Sequence, residues 1–382
     1  MPRVLLAPDK FKGSLTAVEI CAILQRALPS AWAPLGQPDP LLCDPCPISD
    51  GGEGFVQAVK LALGGTEQST QVPGPLGETV AAIWAGCGQV AVAEMAAASG
   101  LLLVPECARD PWRASTAGTG VLLRDIFQRG HRRVMLGIGG SATNDGGCGL
   151  ALALGFQFQD ASGEPVTRLP EDLTKVRRIV PPPRCCWPEI VVACDVQTPL
   201  LGEHGATRIF GPQKGVPAHE VAAHEARLQH LVELVRRDVT PMPLEMEPGS
   251  GAAGGLGYGL RVFCGATLRP GLEMLAESAG LQERICQADV VIAGEGRLDF
   301  SSLEGKGPVA LAEMAAEAGR PVIFICGAVD PAVRKLLVER GAVVLPITPE
   351  GLPMAEAVRR APALLEAAAP QLAAAIRQAG SP

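Results

Sequence analysis

The stretch from Val134 to Leu154 restricts this chain more than any other. It opens on an apolar run, Val134 to Leu136, short enough for a buried strand, and closes on Leu150 to Leu154, the start of a buried helix. Between them stand several glycines and the polar set Ser141, Thr143, Asn144 and Asp145. Glycine lets backbone N–H groups turn toward a ligand, and a helix N-terminus adds unpaired donors and a positive dipole end. Two readings fit. One is an anion site, most often for a phosphate; the other is a tight strand-to-helix connection capped by Ser141 or Asn144.

The construction recurs along the chain. Val4 to Ala7 reads as a buried strand, followed by a loop at Asp9–Ser14 and a capping box at Thr16 and Glu19 that starts a helix to about Leu28. Leu41 to Cys43 suits a second strand, and residues 50–54 (Asp-Gly-Gly-Glu-Gly) open a helix to about Leu63. Short strands and turns follow from Thr66. Ile190 to Cys194 is a buried strand ending at Asp195, and the polar section 160–183 reads as a surface excursion or lid. A second glycine-rich segment spans 249–259. Beyond Ala288 the pattern is strand, helix, strand, helix, strand, helix, which calls for a parallel sheet. Three strands make a thin sheet, and the strands at Val4 and Leu41 are the natural additions. The expected architecture is α/β in two domains. Residues 1–65 plus 288–382 form a parallel-sheet, Rossmann- or flavodoxin-like domain built from both chain ends. Residues 66–287 are an inserted second α/β domain.

Composition narrows the function. The net charge is −7 with no basic tract, and aromatic residues are scarce, so neither a nucleic acid nor an anionic membrane is an expected partner. No apolar run approaches the roughly 20 residues of a membrane span. The N-terminal apolar segment is too short for a signal peptide, so a cytoplasmic protein is expected. A homodimer is a possible assembly. The lone Cys43…Cys46 pair has no partner pair at zinc spacing. His219 and His224 miss the H-E-x-x-H spacing by one residue, which separates the two rings around a helix.

The chain holds no Walker A motif and no protein-kinase H-R-D or D-F-G set. Gly137–Ala142 matches G-x-G-x-x-A, with Asp160 about twenty residues on, which leaves an NAD(P)-dependent hydroxyacid dehydrogenase as an alternative. A non-catalytic metabolite-binding regulator is another. The predicted strand ends point instead to phosphoryl transfer: they carry Asp9 and Lys12, Asp145, Asp195, and Glu295, Asp299 and Lys306. Backbone donors and ammonium groups hold phosphates, Mg²⁺ takes oxygen ligands, and a carboxylate can take the proton of an attacking hydroxyl. Lysine is rare here, yet four of seven, Lys10, Lys12, Lys214 and Lys306, fall in the glycine- and aspartate-bearing loops.

Seven segments together resemble the bacterial glycerate kinases: 7–16 (Ala-Pro-Asp-Lys-Phe-Lys-Gly-Ser-Leu-Thr), 50–54, 137–147, 193–196, 210–215, 251–257, and 294–299 with Gly305 and Lys306. Lys10 stands where many members have serine, and residues 300–302 (Phe-Ser-Ser) replace a more usual Gly-Gln-Thr. The resemblance implies a two-domain α/β fold and ATP-dependent phosphorylation of D-glycerate, usually to 2-phosphoglycerate. On the physical reading Asp195 and Lys12 are catalytic, and Asp9, Lys10, Ser14, Asp50, Glu53 and Arg297 bind the substrate. Gly139, Gly140, Ser141, Asn144, Asp145, Lys214 and Lys306 hold the ATP phosphates, and Asp195 and Asp299 are the candidate Mg²⁺ ligands.

Overall fold

The computed structural model of the chain describes residues 1–49, 51–183, 187–303 and 307–380. It comprises two compact units: Met1–Ser49, Gln57–Leu63 and Leu272–Pro382 form one, and Asp50–Val56 with Gly64–Gly271 form the other.

The first unit is built on five strands, all parallel, in the order Val343–Pro346, Val322–Val329, Val290–Leu298, Arg3–Pro8, Leu42–Pro45. Numbered along the chain within this sheet and read from Leu42–Pro45, that is 2-1-3-4-5, the flavodoxin-like order. The strand order reverses between Arg3–Pro8 and Val290–Leu298, which pair from Val4 with Val290 to Pro8 with Gly294. Val4 to Ala7 and Val290 to Ala293 are fully buried, as a strand covered on both faces requires. The helix Ala17–Trp32 begins at the predicted capping box: Glu19 N donates to Thr16 Oγ1 at 3.2 Å, and Thr16 N donates to Glu19 Oε2 at 2.8 Å. Its Ile20, Leu24 and Leu28 are fully buried with Leu372 and Ile376 of the helix Ala369–Ala379. Each such side chain contributes about 1.5–3 kcal/mol. Asp330 caps the helix Pro331–Glu339, also as its sequence indicates.

The second unit holds a mixed sheet of six strands: Thr267–Arg269, Glu189–Ala193, Arg133–Gly137, Val90–Glu94, Thr79–Cys87, Thr66–Pro73. The first four are parallel and the last two antiparallel. The 160–183 section is more than a surface excursion. Leu169, Leu173, Val176 and Ile179 enter the core of this unit, and Arg178–Val180 pairs with Gln157–Gln159. Its polar and proline-rich composition concealed those four anchors.

The helix Leu281–Gln287, placed in the insert by the sequence division at 287/288, groups with the first unit. Leu281 and Ile285 are buried there, and the Arg284 guanidinium pairs with Asp44. Burial alone would raise the Asp44 carboxyl, but hydrogen bonds from Arg284 and Arg3 hold it below the usual carboxylate range. Asp44→Ala leaves two part-buried guanidinium groups without their shared anion. It should cost about 2 kcal/mol in urea unfolding, with Asp44→Asn intermediate. A midpoint equal to wild type would show the network to be ornamental.

Candidate active site

Four parallel strands of the second unit end level with one another: Glu94 pairs with Gly137, Gly137 with Ala193, and Ala193 with Arg269. Whatever follows those residues lies along one C-terminal edge, where open parallel sheets gather ligands. Asp195 is two residues past this line, half-buried, with Oδ1 accepting from Gly271 N at 3.0 Å. Gly139 and Gly140 are two and three residues past it.

The turn at Gly51–Gly54 is pressed against the same edge. Gly51 has φ +84°, and a Cβ there would lie 2.5 Å from that of Ala193, so only glycine fits. Gly139 N donates to Gly51 O at 3.3 Å. Glu94 Oε1 accepts from Val56 N at 2.8 Å and so anchors the first turn of the helix Phe55–Leu63. Glu53 is exposed in this turn. Asp50 and Lys306, both expected in the site, lie outside the described residues.

The central glycine-rich loop is buried along most of its length and exposed at one turn. Residues 141–150 are all buried, whereas Gly140 is exposed with φ +72° and Gly139 is partly so. The buried part packs on the second glycine-rich segment. Gly146 N donates to Gly254 O at 3.0 Å, and a Cβ at Gly254 would lie 1.9 Å from Thr143 O. The carboxylate of Asp145 is fully engaged within the protein. It accepts from Thr116 N (2.8 Å), Thr116 Oγ1 (2.7 Å), Gly147 N (3.0 Å) and Gly149 N (3.3 Å). Asp145 therefore organises the start of the helix Cys148–Ala153, and its charge lies inside the loop. Asn144 is likewise turned inward, its Nδ2 donating to Thr207 Oγ1 at 3.0 Å.

Two buried cations lie beneath the loop. Lys214 Nζ donates to Ser141 Oγ and to Thr143 O, both at 2.6 Å. Arg227, on the helix Val221–Asp238, donates through Nη2 to Asn144 O at 3.0 Å and Pro111 O at 3.0 Å, with its guanidinium 4.6 Å from the Trp112 ring centroid. Burial pushes the Lys214 ammonium down to about 7, with the Asp145 carboxylate opposing. Arg227 Nη2 also meets His224 Nδ1 at 3.1 Å; because arginine can only donate, that imidazole nitrogen accepts. Burial and the Arg227 charge push His224 down to about 4. His219, by contrast, is exposed. Arg227 went unnoticed in the sequence, and His224 was weighed only for metal spacing, because a charged residue in an amphipathic helix reads as solvated and only tertiary packing turns it inward.

The sheet-order reversal of the first unit carries the other group. Asp9 follows the strand Arg3–Pro8, with its own N–H donating to Gly294 O at 2.8 Å. Lys10 Nζ lies 3.7 Å from Asp9 Oδ1, Lys12 is exposed, and Ser14 Oγ is buried without a hydrogen-bond partner among the described residues. A Cβ at Gly296 would lie 3.1 Å from Lys12 N, so the 9–14 loop sits against the end of Val290–Leu298. Arg297 is exposed, 3.7 Å from Asp299. Hydrogen bonds from the Ser301 hydroxyl (2.6 Å) and N–H (3.0 Å) hold the Asp299 carboxyl below its usual range.

The dinucleotide alternative loses its footing. The helix after Gly137–Ala142 starts only at Cys148, and Asp160 Oδ1 accepts from Ser162 N and Glu164 N within its own turn. A cavity of about 120 Å³ in the first unit, lined by Val309, Phe324 and Leu337 among others, reaches Pro321 and Ala342 at the opposite strand ends.

The model of the glycerate kinase family matches residues 4–377. A glycerate kinase of Halalkalibacterium halodurans is 38% identical over 382 residues, covering 98% of each chain. The glycerate 2-kinase of Escherichia coli K12 is 40% identical over 330 residues, covering 85% of each. A crystal structure from Salmonella typhimurium LT2, of a protein provisionally named glycerate kinase 2, superposes with a TM-score of 0.83 at 35% identity over 99% of both chains.

The buried His224 predicts an acid limb. Between pH 6.5 and about 4 the unfolded chain binds a proton that the folded chain refuses, so stability falls as pH drops through that window. The loss reaches about 3 kcal/mol at its lower end. Urea midpoints measured from pH 7 to 4 should show a steeper decline in wild type than in His224→Asn. Parallel curves would mean that His224 titrates normally.

Proposed function

This chain belongs to the glycerate kinase family, and we propose that it transfers the γ-phosphoryl group of ATP to the 2-hydroxyl of D-glycerate, giving 2-phosphoglycerate. The product is argued from the relative named glycerate 2-kinase. The observation that carries the substrate reading is the gathering of Asp9, Lys10, Lys12, Ser14, Arg297 and Asp299 at the strand-order reversal of the first unit. A small hydroxy acid needs cations for its carboxylate and hydroxyl or carboxylate groups for its hydroxyls, and that set supplies both. The protein acts in the cytoplasm with small molecules as its partners, and the two compact units are its domains.

In this reading Lys12, Ser14 and Arg297 hold the glycerate carboxylate and hydroxyls, with Asp9 and Lys10 beside them. The exposed Gly139–Gly140 turn receives the nucleotide phosphates. Asp195 takes the proton of the attacking hydroxyl. Its carboxylate stands two residues past the end of a buried strand and is oriented by Gly271 N, the rigid placement that proton transfer requires. The donor set fits Mg²⁺, which commonly takes one or two carboxylates plus phosphate oxygens and water, and no cluster of three or more ligating side chains occurs among the described residues. With Asp195 given to the proton, Asp299 is the remaining candidate ligand, and Ser301 and Arg297 beside it compete with a cation. When bound, Mg²⁺ neutralises the charge developing on the phosphates.

A ³¹P NMR spectrum of the reaction with ATP and D-glycerate tests the reading directly, since the 2- and 3-phosphates resolve. Asp195→Asn should lower kcat by about 10²–10⁴ with little change in the glycerate KM. A variant within a few-fold of wild-type kcat removes Asp195 from the mechanism. Lys12→Ala should raise the glycerate KM by about 10–100-fold and leave the ATP KM nearly unchanged. The opposite pattern would assign Lys12 to the nucleotide.

A further inference from the structure

We infer that Lys214 is a positioning residue and buried counter-charge for the nucleotide phosphates, acting through Ser141 and the loop backbone without touching the nucleotide. The inference rests on the reading above that the Gly139–Gly140 turn receives those phosphates. Lys214 is 2% exposed, so a bound nucleotide cannot reach it. Its two short hydrogen bonds go to a hydroxyl and a carbonyl, at Ser141 and Thr143, and not to a carboxylate. A fully buried ammonium in that state is costly unless something else repays it.

The repayment has a geometric route. Ser141 directly follows the exposed Gly140. Because Lys214 donates to Ser141 Oγ, that oxygen is used as an acceptor, and its own O–H is left to donate elsewhere. The Thr143 carbonyl is drawn inward by Lys214, which fixes its trans peptide plane and turns the following N–H the other way. Arg227 does the same to the next carbonyl, Asn144 O. Two consecutive peptides are thus oriented by two buried cations. Asp145 faces both of them from the loop, Asp110 and the Cys148 thiol also face Arg227, Glu220 lies beside His224, and a third cation, Arg109, packs near Gly215 on the 106–109 turn. A polyphosphate at the turn would add an anion on the solvent side of the loop, where none of these carboxylates lies.

Proton linkage follows. With its ammonium pushed down to about 7 in the free protein, Lys214 is largely neutral at pH 8. A bound anion nearby favours the charged form. Nucleotide binding at pH 8 should therefore take up a fraction of a proton.

The test is isothermal titration of wild type and Lys214→Met with ATP at pH 8 in two buffers of different ionisation enthalpy. The nucleotide's own protons are common to both proteins and cancel. Wild type should take up more protons than Lys214→Met, and the variant should bind ATP about 5–50-fold more weakly with its affinity for D-glycerate kept. Methionine keeps a similar volume, and a cooperative melting curve establishes that the variant is folded before its affinities are compared. Should that variant misfold, Ser141→Ala must still weaken ATP and spare glycerate, and wild-type ATP affinity must fall from pH 7 to 9. Equal proton uptake in both proteins, or unchanged ATP affinity in both variants, overturns the inference. The titration needs no turnover, so a wild type that binds ATP but does not phosphorylate D-glycerate would sink the glycerate reading alone.

Discussion

Parallel pairing of residues 4–8 with residues 290–294 is the contact on which the first unit depends. It joins backbone segments 286 residues apart in the chain. Closing so long a loop costs entropy that grows only slowly with length, and the fully buried apolar runs on both strands offset it. Its consequence is chemical. Joining the N-terminal strand to the later three reverses the strand order between them, and that reversal leaves a crevice at their carboxyl ends. The 9–14 loop and residues 295–299 are the two segments that issue there.

Much of this was legible because parallel strands announce themselves. Val4–Ala7, Val290–Ala293 and Val322–Cys326 are short apolar runs bounded by glycine, proline or aspartate, and each became a strand. The Thr16–Glu19 box and the Asp330 cap also act over three or four residues, so the sequence contains their whole physics. The strand Val290–Leu298 nonetheless runs well past its apolar part, through Gly294 and Gly296, because its neighbours supply hydrogen bonds where propensity does not.

What escaped notice depends on distant partners. The helix Leu281–Gln287 sits in the first unit because Arg284 finds Asp44, a pairing no local window contains. Leu169, Leu173, Val176 and Ile179 stand among too many polar residues and prolines to advertise a core. Arg227 and Lys214 show the same limit more sharply. Both residue types are almost always exposed, so only the fold could reveal two of them beneath one loop.

The glycine-rich stretch posed a choice between packing and anion binding, and the structure shows the packing. Gly254 is glycine because the backbone of Thr143 leaves no room for a side chain, and Gly51 because Ala193 does the same. Those contacts bury 141–150 and fix the loop from behind, leaving Gly140 as its exposed apex. A loop meant to hold charge in water benefits from such immobility, since donors already in place need no reorganisation when the ligand arrives. The buried cations fit the same logic. A lysine at the surface would be screened by water and salt, whereas one beneath the backbone acts through low dielectric at short range. Close packing of glycines and anion binding by a small turn require the same residues, which is why sequence composition alone cannot separate the two.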